Sequence, residues 1–200
     1  MNYQVKLVER SVIRDIIEAN HYSKNINGVK STYCFGLYDG DALVGGMIYG
    51  ELGMRGVWSK YATAKDQIIE LRRLVLLPTL PKTSVGSDGR IHSSNIAGKF
   101  IAETLRWLKR NTGYKRVISY ADTTQNHEGT IYKATNFKHI GMTKKTKSIL
   151  WKGRIYHDRC RRKVYKGVRC RSAIEIEEAL NKGEATWVEA KPKHIYIYEL

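Results

Sequence analysis

The chain is poor in cysteine, with three in 200 residues. Cys34, Cys160 and Cys170 make an odd count with no paired framework, which excludes a disulfide-stapled scaffold and points to a reducing compartment. No stretch approaches the ~18 uninterrupted apolar residues of a membrane span, so no membrane partner is expected. The opening Met1-Asn2-Tyr3-Gln4-Val5-Lys6 lacks the apolar run of a secretory signal, and a cytoplasmic location is expected. No G-x-G-x-x-G follows the first apolar segment, which excludes a dinucleotide-binding Rossmann unit. Walker spacing, a Ser-His-Asp order and a nucleophile elbow are missing too. His157, Cys160 and Cys170 match no standard zinc spacing, so no metal site is expected. Acidic residues are few, 19 against 35 Lys and Arg, giving a formal charge of +16.

Against these absences, 42% of the residues are hydrophobic, enough to bury a core and exclude wholesale disorder. The length suits one domain over residues 1–200. The excess charge is local: residues 144–171 hold twelve Lys and Arg and one acid, Asp158. Trp151, Tyr156 and Tyr165 are interleaved with them. Such a segment suits a polyanion, whose released counterions strengthen binding, while the rings can stack on bases. Lys152, Arg154, Arg159, Arg161, Arg162 and Lys163 are the candidate DNA contacts. A solvated basic face is the plainer explanation.

Periodicity supplies the elements. Tyr3–Val8 reads as a strand. Val12, Ile13, Ile16 and Ile17 recur at helical spacing behind Ser11 as a plausible N-cap. Segments 32–38 and 42–50 flank Asp39-Gly40-Asp41, an antiparallel hairpin signal. Residues 67–77 read as a strand ended by Pro78, and 95–110 as a helix with Ile96, Phe100, Ile101, Leu105 and Leu108 on its buried side. Further strands are expected at 115–121, from Gly141 and at 194–198, with short helices at 129–137 and 172–181. A hairpin-rich first half joined to a strand–helix–strand crossover describes an α+β domain with a mixed central sheet flanked by helices.

Three constellations could carry chemistry. Residues 119–137 place a polar cluster at the end of an apolar strand, ahead of a helix. There Asp122 could orient or accept a proton and Tyr132 could serve as an acid; an N-cap and helix packing are their structural alternatives. In Glu70-Leu71-Arg72-Arg73-Leu74, alternation sends one arginine towards the covered side of the sheet. It should be paired there, with Glu70 or Asp122, or hold an anion. Ser94, Asn95 and Lys99 at a helix start suit a phosphate, although plain capping explains them as well. His21 stands at a helix end, as a base, a ligand or a cap.

Taken in order, His21-Tyr22-Ser23, Glu70-Leu71-Arg72-Arg73-Leu74, Leu80-Pro81-Lys82, Ser94-Asn95, the block from Tyr120-Ala121-Asp122 to Gly129-Thr130-Ile131-Tyr132-Lys133-Ala134-Thr135-Asn136, and Pro192-Lys193-His194-Ile195-Tyr196 resemble the phage Mom family. The resemblance implies a GNAT-like, acyl-CoA N-acyltransferase fold. It also implies conversion of adenine in double-stranded DNA to its N6-carbamoylmethyl form, protecting phage DNA from host restriction in the host cytoplasm. Carried over by position, it makes His21, Arg73, Ser94, Asp122 and Tyr132 the catalytic set. Arg73, Ser94, Asn95 and Lys99 become the donor-binding set, with acyl-CoA (acetyl-CoA in the simplest case) as candidate donor. Ordinary GNAT enzymes carry (Gln/Arg)-x-x-Gly-x-(Gly/Ala) after the fourth strand; here Arg72 and Arg73 are followed by apolar residues and two prolines. Two other functions stay open at this point: acyl transfer to another amine, and DNA binding without catalysis.

Overall fold

The computed structural model describes residues 3–24, 26–53, 56–81, 83–85 and 91–200. In chain order the elements are β1 (Tyr3–Val8), α1 (Arg10–Asn20), β2 (Ser31–Asp39), β3 (Ala42–Gly50), β4 (Ile68–Leu76), β5 (Thr83–Val85), β6 (Ile91–Ser93), α2 (Ile96–Asn111), β7 (Arg116–Asp122), α3 (Thr130–Ala134), β8 (Lys138–Met142), β9 (Thr146–Trp151), β10 (Arg154–His157), β11 (Val164–Tyr165), β12 (Val168–Arg169), α4 (Arg171–Asn181), β13 (Thr186–Ala190) and β14 (Lys193–Glu199). They divide into two compact units, one of Met1–Ala121, Gly129–Gly141 and Ile195–Leu200, the other of Asp122–Glu128 and Met142–His194. Among the described residues no helix is long and apolar enough to cross a membrane.

A mixed seven-stranded sheet, ordered β1-β2-β3-β4-β7-β14-β8, frames the first unit. Side chains alternate across a strand, and β3 shows it: Met47 and Tyr49 join the cluster with Phe100, Ile101 and Leu105 of α2, while Ile48 joins Ile13 and Ile17 of α1. Helices therefore cover both faces. Complete burial of Ile13 and Ile17 contributes about 1.5–3 kcal/mol each. Gly46 lets α1 come close, because a β-carbon there would stand 3.2 Å from Ile13.

The expected Ser11 cap gives way to Glu9, and the helix begins at Arg10. The Arg10 guanidinium is the reason, since its Nη1 donates to the Val29 carbonyl at 3.0 Å and Nη2 reaches that of Ile26. The expected strand from Gly141 instead closes around it, at Lys138–Met142. Within the polar stretch before α2, β5 and β6 pair from Thr83↔Ser93 to Val85↔Ile91.

The second unit is built on a three-stranded sheet ordered β10-β9-β13, with α4 packing Ile176 and Ala179 against Ile149 and Ala185. The β11–β12 ribbon pairs only with itself. Thr143 and Lys193 close the neck of this unit: Thr143 N–H donates to the Lys193 carbonyl at 2.9 Å, and Lys193 N–H donates to Thr143 Oγ1 at 2.9 Å.

Candidate active site

Strands β4 and β7 run parallel, with a ladder from Ile68↔Arg116 to Leu71↔Ser119. Both continue past that point without pairing, so the sheet opens between them. Ser119, 1% exposed, donates its hydroxyl to the Leu71 carbonyl at 3.1 Å at the last rung. On the other side, Ile48 pairs with Arg73 and Tyr49 with Leu71, which leaves Arg72 as an extra residue in a bulge.

The bulge separates the two arginines chemically. Arg72 Nε lies 3.4 Å from Glu70 Oε1 and Nη1 donates to the Glu51 carbonyl at 2.8 Å. Glu70 Oε2 also accepts the Gly53 N–H at 2.9 Å. The Glu70 pairing expected of an arginine is thus taken by Arg72. Arg73 donates Nη1 to the Arg72 carbonyl at 2.8 Å, and its buried Nε has no hydrogen-bond partner among the described residues. Burial pulls the Arg73 pKa down, opposed by Tyr22 and Glu70 and reinforced by Arg72.

Tyr132 projects from the short helix α3, which starts at Gly129. That glycine has φ +71°, and a β-carbon would stand 2.2 Å from the Tyr196 ring. Only glycine fits, which fixes where α3 begins and sets the Tyr132 ring 5.3 Å from Tyr196 and 5.4 Å from Phe137. Burial raises the Tyr132 pKa, opposed by the Ser119 hydroxyl and reinforced by Tyr22, Glu70 and Tyr196. Arg73 and Tyr132 therefore feel the same two groups, Tyr22 and Glu70. The His21 ring lies 4.2 Å from that of Tyr22. His21 Nδ1 accepts the Ser23 N–H at 3.1 Å, which places the proton of the neutral imidazole on Nε2. So His21 packs beside Tyr22, and Arg73 and Tyr132 both feel Tyr22 electrostatically; the sequence placed Tyr22 next to His21 without a role.

Ser94 is held elsewhere in that unit, its hydroxyl donating to the Pro81 carbonyl. Asn95 makes no side-chain capping bond, so the first-turn amides of α2 keep their donors. Lys99 follows, exposed. Aligned with the phosphate-loop pattern, residues 93–98 put Gly98 in the last position but Ile96 and Ser93 in the others. A β-carbon at Gly98 would meet Asn95 Oδ1 at 2.0 Å, so a larger residue there would turn the Asn95 side chain away.

Asp122 belongs to the second unit. It caps the turn at Thr123–Gln125, Oδ1 accepting the Thr124 N–H at 3.0 Å and its hydroxyl at 2.6 Å. Its Oδ2 pairs with Lys193 Nζ at 2.7 Å, a partner the sequence did not suggest. Burial alone would raise its pKa, but the bonds from Lys193 and Thr124 outweigh it and hold the carboxyl below its usual value.

The basic segment is less free than its composition implies. Arg161 Nε bonds Asp158 Oδ1 at 2.7 Å and Nη1 reaches Glu177 at 3.3 Å; Arg162 also pairs with Asp158, and Arg169 with Glu177. These bridges tie the turn at Asp158–Arg162 to α4. Among the described residues Lys152, Arg154, Arg159 and Lys163 carry no ion pair. No cluster of three His, Cys, Asp or Glu among the described residues could hold a metal ion.

The model of the Mom protein family matches residues 2–200. Curated proteins give no match. Among solved structures, a Bacillus subtilis acetyltransferase in complex with CoA aligns at TM-score 0.52 and 12% identity, over 100% of this chain and 99% of that one. Arabidopsis thaliana NAA60 in complex with acetyl-CoA aligns at TM-score 0.53 and 11% identity, again over 100% and 99%. The fold is GNAT-like.

Proposed function

The chain belongs to the Mom protein family, and on that premise we propose that it is a transferase acting on the N6 amino group of adenine in double-stranded DNA. The product is the N6-carbamoylmethyl base, and the consequence is protection of phage DNA from host restriction. The observation that carries this reading is the parting of β4 and β7 beyond Leu71↔Ser119, with Arg73 just past that point and turned from Glu70 by the bulge at Arg72.

Adenine N6 is a poor nucleophile because its lone pair is delocalised into the ring. The protein must orient its N–H and stabilise charge developing on the donor. Asp122 is held ionised by Lys193 and Thr124, which makes it a weak base at neutral pH. Its part is to accept a hydrogen bond from N6–H. Tyr132 keeps its proton, its pKa being raised, and so donates. Arg73, with Nε free of any hydrogen-bond partner among the described residues, binds an anionic group of the donor. His21 presents Nε2–H as a pocket wall.

The residues fit acyl-CoA at the start of α2. There the uncapped amides, Asn95 and Lys99 would take phosphate charge, and Ser94 braces the turn through Pro81. When bound, acyl-CoA would supply an activated acyl carbon, which on N6 gives an amide. The carbamoylmethyl product joins N6 through a methylene carbon and so needs a donor of that whole group. Because N6 is paired inside a duplex, the base must be extruded for reaction, at a cost of a few kcal/mol.

The CoA-bound neighbours favour a second reading, plain acyl transfer to an amine. Nucleoside mass spectrometry separates the two, since a carbamoylmethyl group carries a nitrogen that an acetyl group lacks. DNA from cells expressing the wild-type protein should contain the modified adenosine. Asp122→Ala and Tyr132→Phe should each reduce it by a factor on the order of 100. An unaltered adenine profile with well-expressed wild-type protein overturns the reading.

A further inference from the structure

Two hairpins of the second unit end alike. In Trp151-Lys152-Gly153-Arg154 and Tyr165-Lys166-Gly167-Val168, the outer residues pair across the strands, Trp151↔Arg154 and Tyr165↔Val168. Each turn is thus two residues long. Lys152 and Gly153 have φ +48° and +70°, and Lys166 and Gly167 +49° and +81°. Positive φ at both central residues is the type I′ pattern, in which Asn, Asp or Gly is favoured. A lysine there works against the backbone, and the same choice is made twice. In both hairpins the ammonium lies over the preceding ring, 4.5 Å from Trp151 and 5.7 Å from Tyr165. Backbone conformations of this kind are kept where function needs them.

The β11–β12 ribbon carries a second peculiarity. It joins no larger sheet, and Val164, Tyr165 and Val168 are 57%, 68% and 71% exposed. Three large apolar side chains on so short a ribbon mark a contact surface. Lys163 and Lys166 stand among them, neither ion-paired among the described residues. This charge sets the partner as a polyanion. A two-stranded ribbon is of a size to enter the major groove, and proteins that bind the minor groove insert apolar side chains as wedges at base steps.

We propose that the Val164–Arg169 ribbon enters a groove of double-stranded DNA, Tyr165 wedging at a base step while Lys166 holds a flanking phosphate. The loosened step lowers the cost of extruding the adenine. This rests on the DNA reading above and adds to it an element that unstacks the duplex.

The test uses the full-length chain, a labelled mixed-sequence duplex containing 2-aminopurine, and anisotropy at several salt concentrations. Tyr165→Ser should weaken duplex binding about tenfold with little change in salt slope, and should abolish the rise in 2-aminopurine fluorescence given by wild type. Lys166→Gly, which suits the turn, should lower the magnitude of the salt slope by about one. Circular dichroism melts should show Tyr165→Ser matching wild type and Lys166→Gly at least as stable, because glycine relieves the positive φ at that position. If wild type binds the duplex and both variants bind identically, the ribbon proposal is overturned while the DNA reading stands. If wild type binds no duplex, the DNA reading falls and takes the ribbon with it. Capture of wild type, but not Tyr165→Ser, by phosphatidylserine vesicles with unchanged duplex binding assigns the ribbon to a membrane surface and also overturns the proposal.

Discussion

Removing the Arg72 guanidinium takes one cationic neighbour from the Glu70 carboxylate, only 9% exposed, and breaking a buried ion pair by removing one partner costs about 3 kcal/mol. Arg72→Ala should therefore lower the urea midpoint strongly. Arg73 forms no ion pair among the described residues and feels Glu70 only weakly, so Arg73→Ala should cost under about 1 kcal/mol yet abolish the modified nucleoside. Equal loss of stability in both variants would dismiss the division of labour between them. Local pattern revealed that one of these arginines needed a partner, but not which one. The bulge at Arg72 arises from the register of β3 against β4 and is invisible in either strand alone. The Lys193 partner of Asp122 was hidden for a related reason: it arrives from the far end of the chain, and no spacing rule reaches that far. Asp122 as an N-cap, by contrast, is a local event and was readable.

At the scale of elements, α3 is placed by Gly129 more than by its own five residues, too few to hold a helix alone. Gly129→Ala forces a side chain into Tyr196 and a non-glycine residue into positive φ. The two effects together cost about 2–4 kcal/mol. The lower thermal midpoint should come with a shifted Tyr132, seen as lost product even at temperatures where the protein is folded; full activity in a folded variant would show that α3 finds its place without the glycine. The β2–β3 hairpin, α2 and β7 were legible because each is defined by its own periodicity. The β9–β10–β13 sheet was not. Its strands are short, the lysines and arginines of 144–171 mask the apolar alternation, and β13 pairs with β9 across α4.

On the scale of the whole molecule, the basic residues are spread unevenly along the chain. The first unit carries the parted strands, and residues 144–171 of the second hold twelve Lys and Arg against one acid. Bridges to Asp158 and Glu177 neutralise part of that excess, so the salt dependence of DNA binding should be shallower than twelve basic residues would give. The longer segment of the second unit leaves and rejoins the first between β8 and β14, which are neighbours in the large sheet. Replacing residues 144–192 with a short Asn-Gly turn should leave a first unit that unfolds cooperatively by circular dichroism while duplex affinity disappears. Loss of a cooperative melt would show that the sheet depends on what was removed.

The pair of bonds between Thr143 and Lys193 ties off the intervening segment at its own base. A segment knotted in this way can be rewritten along its length while both of its anchor points keep their hydrogen bonds.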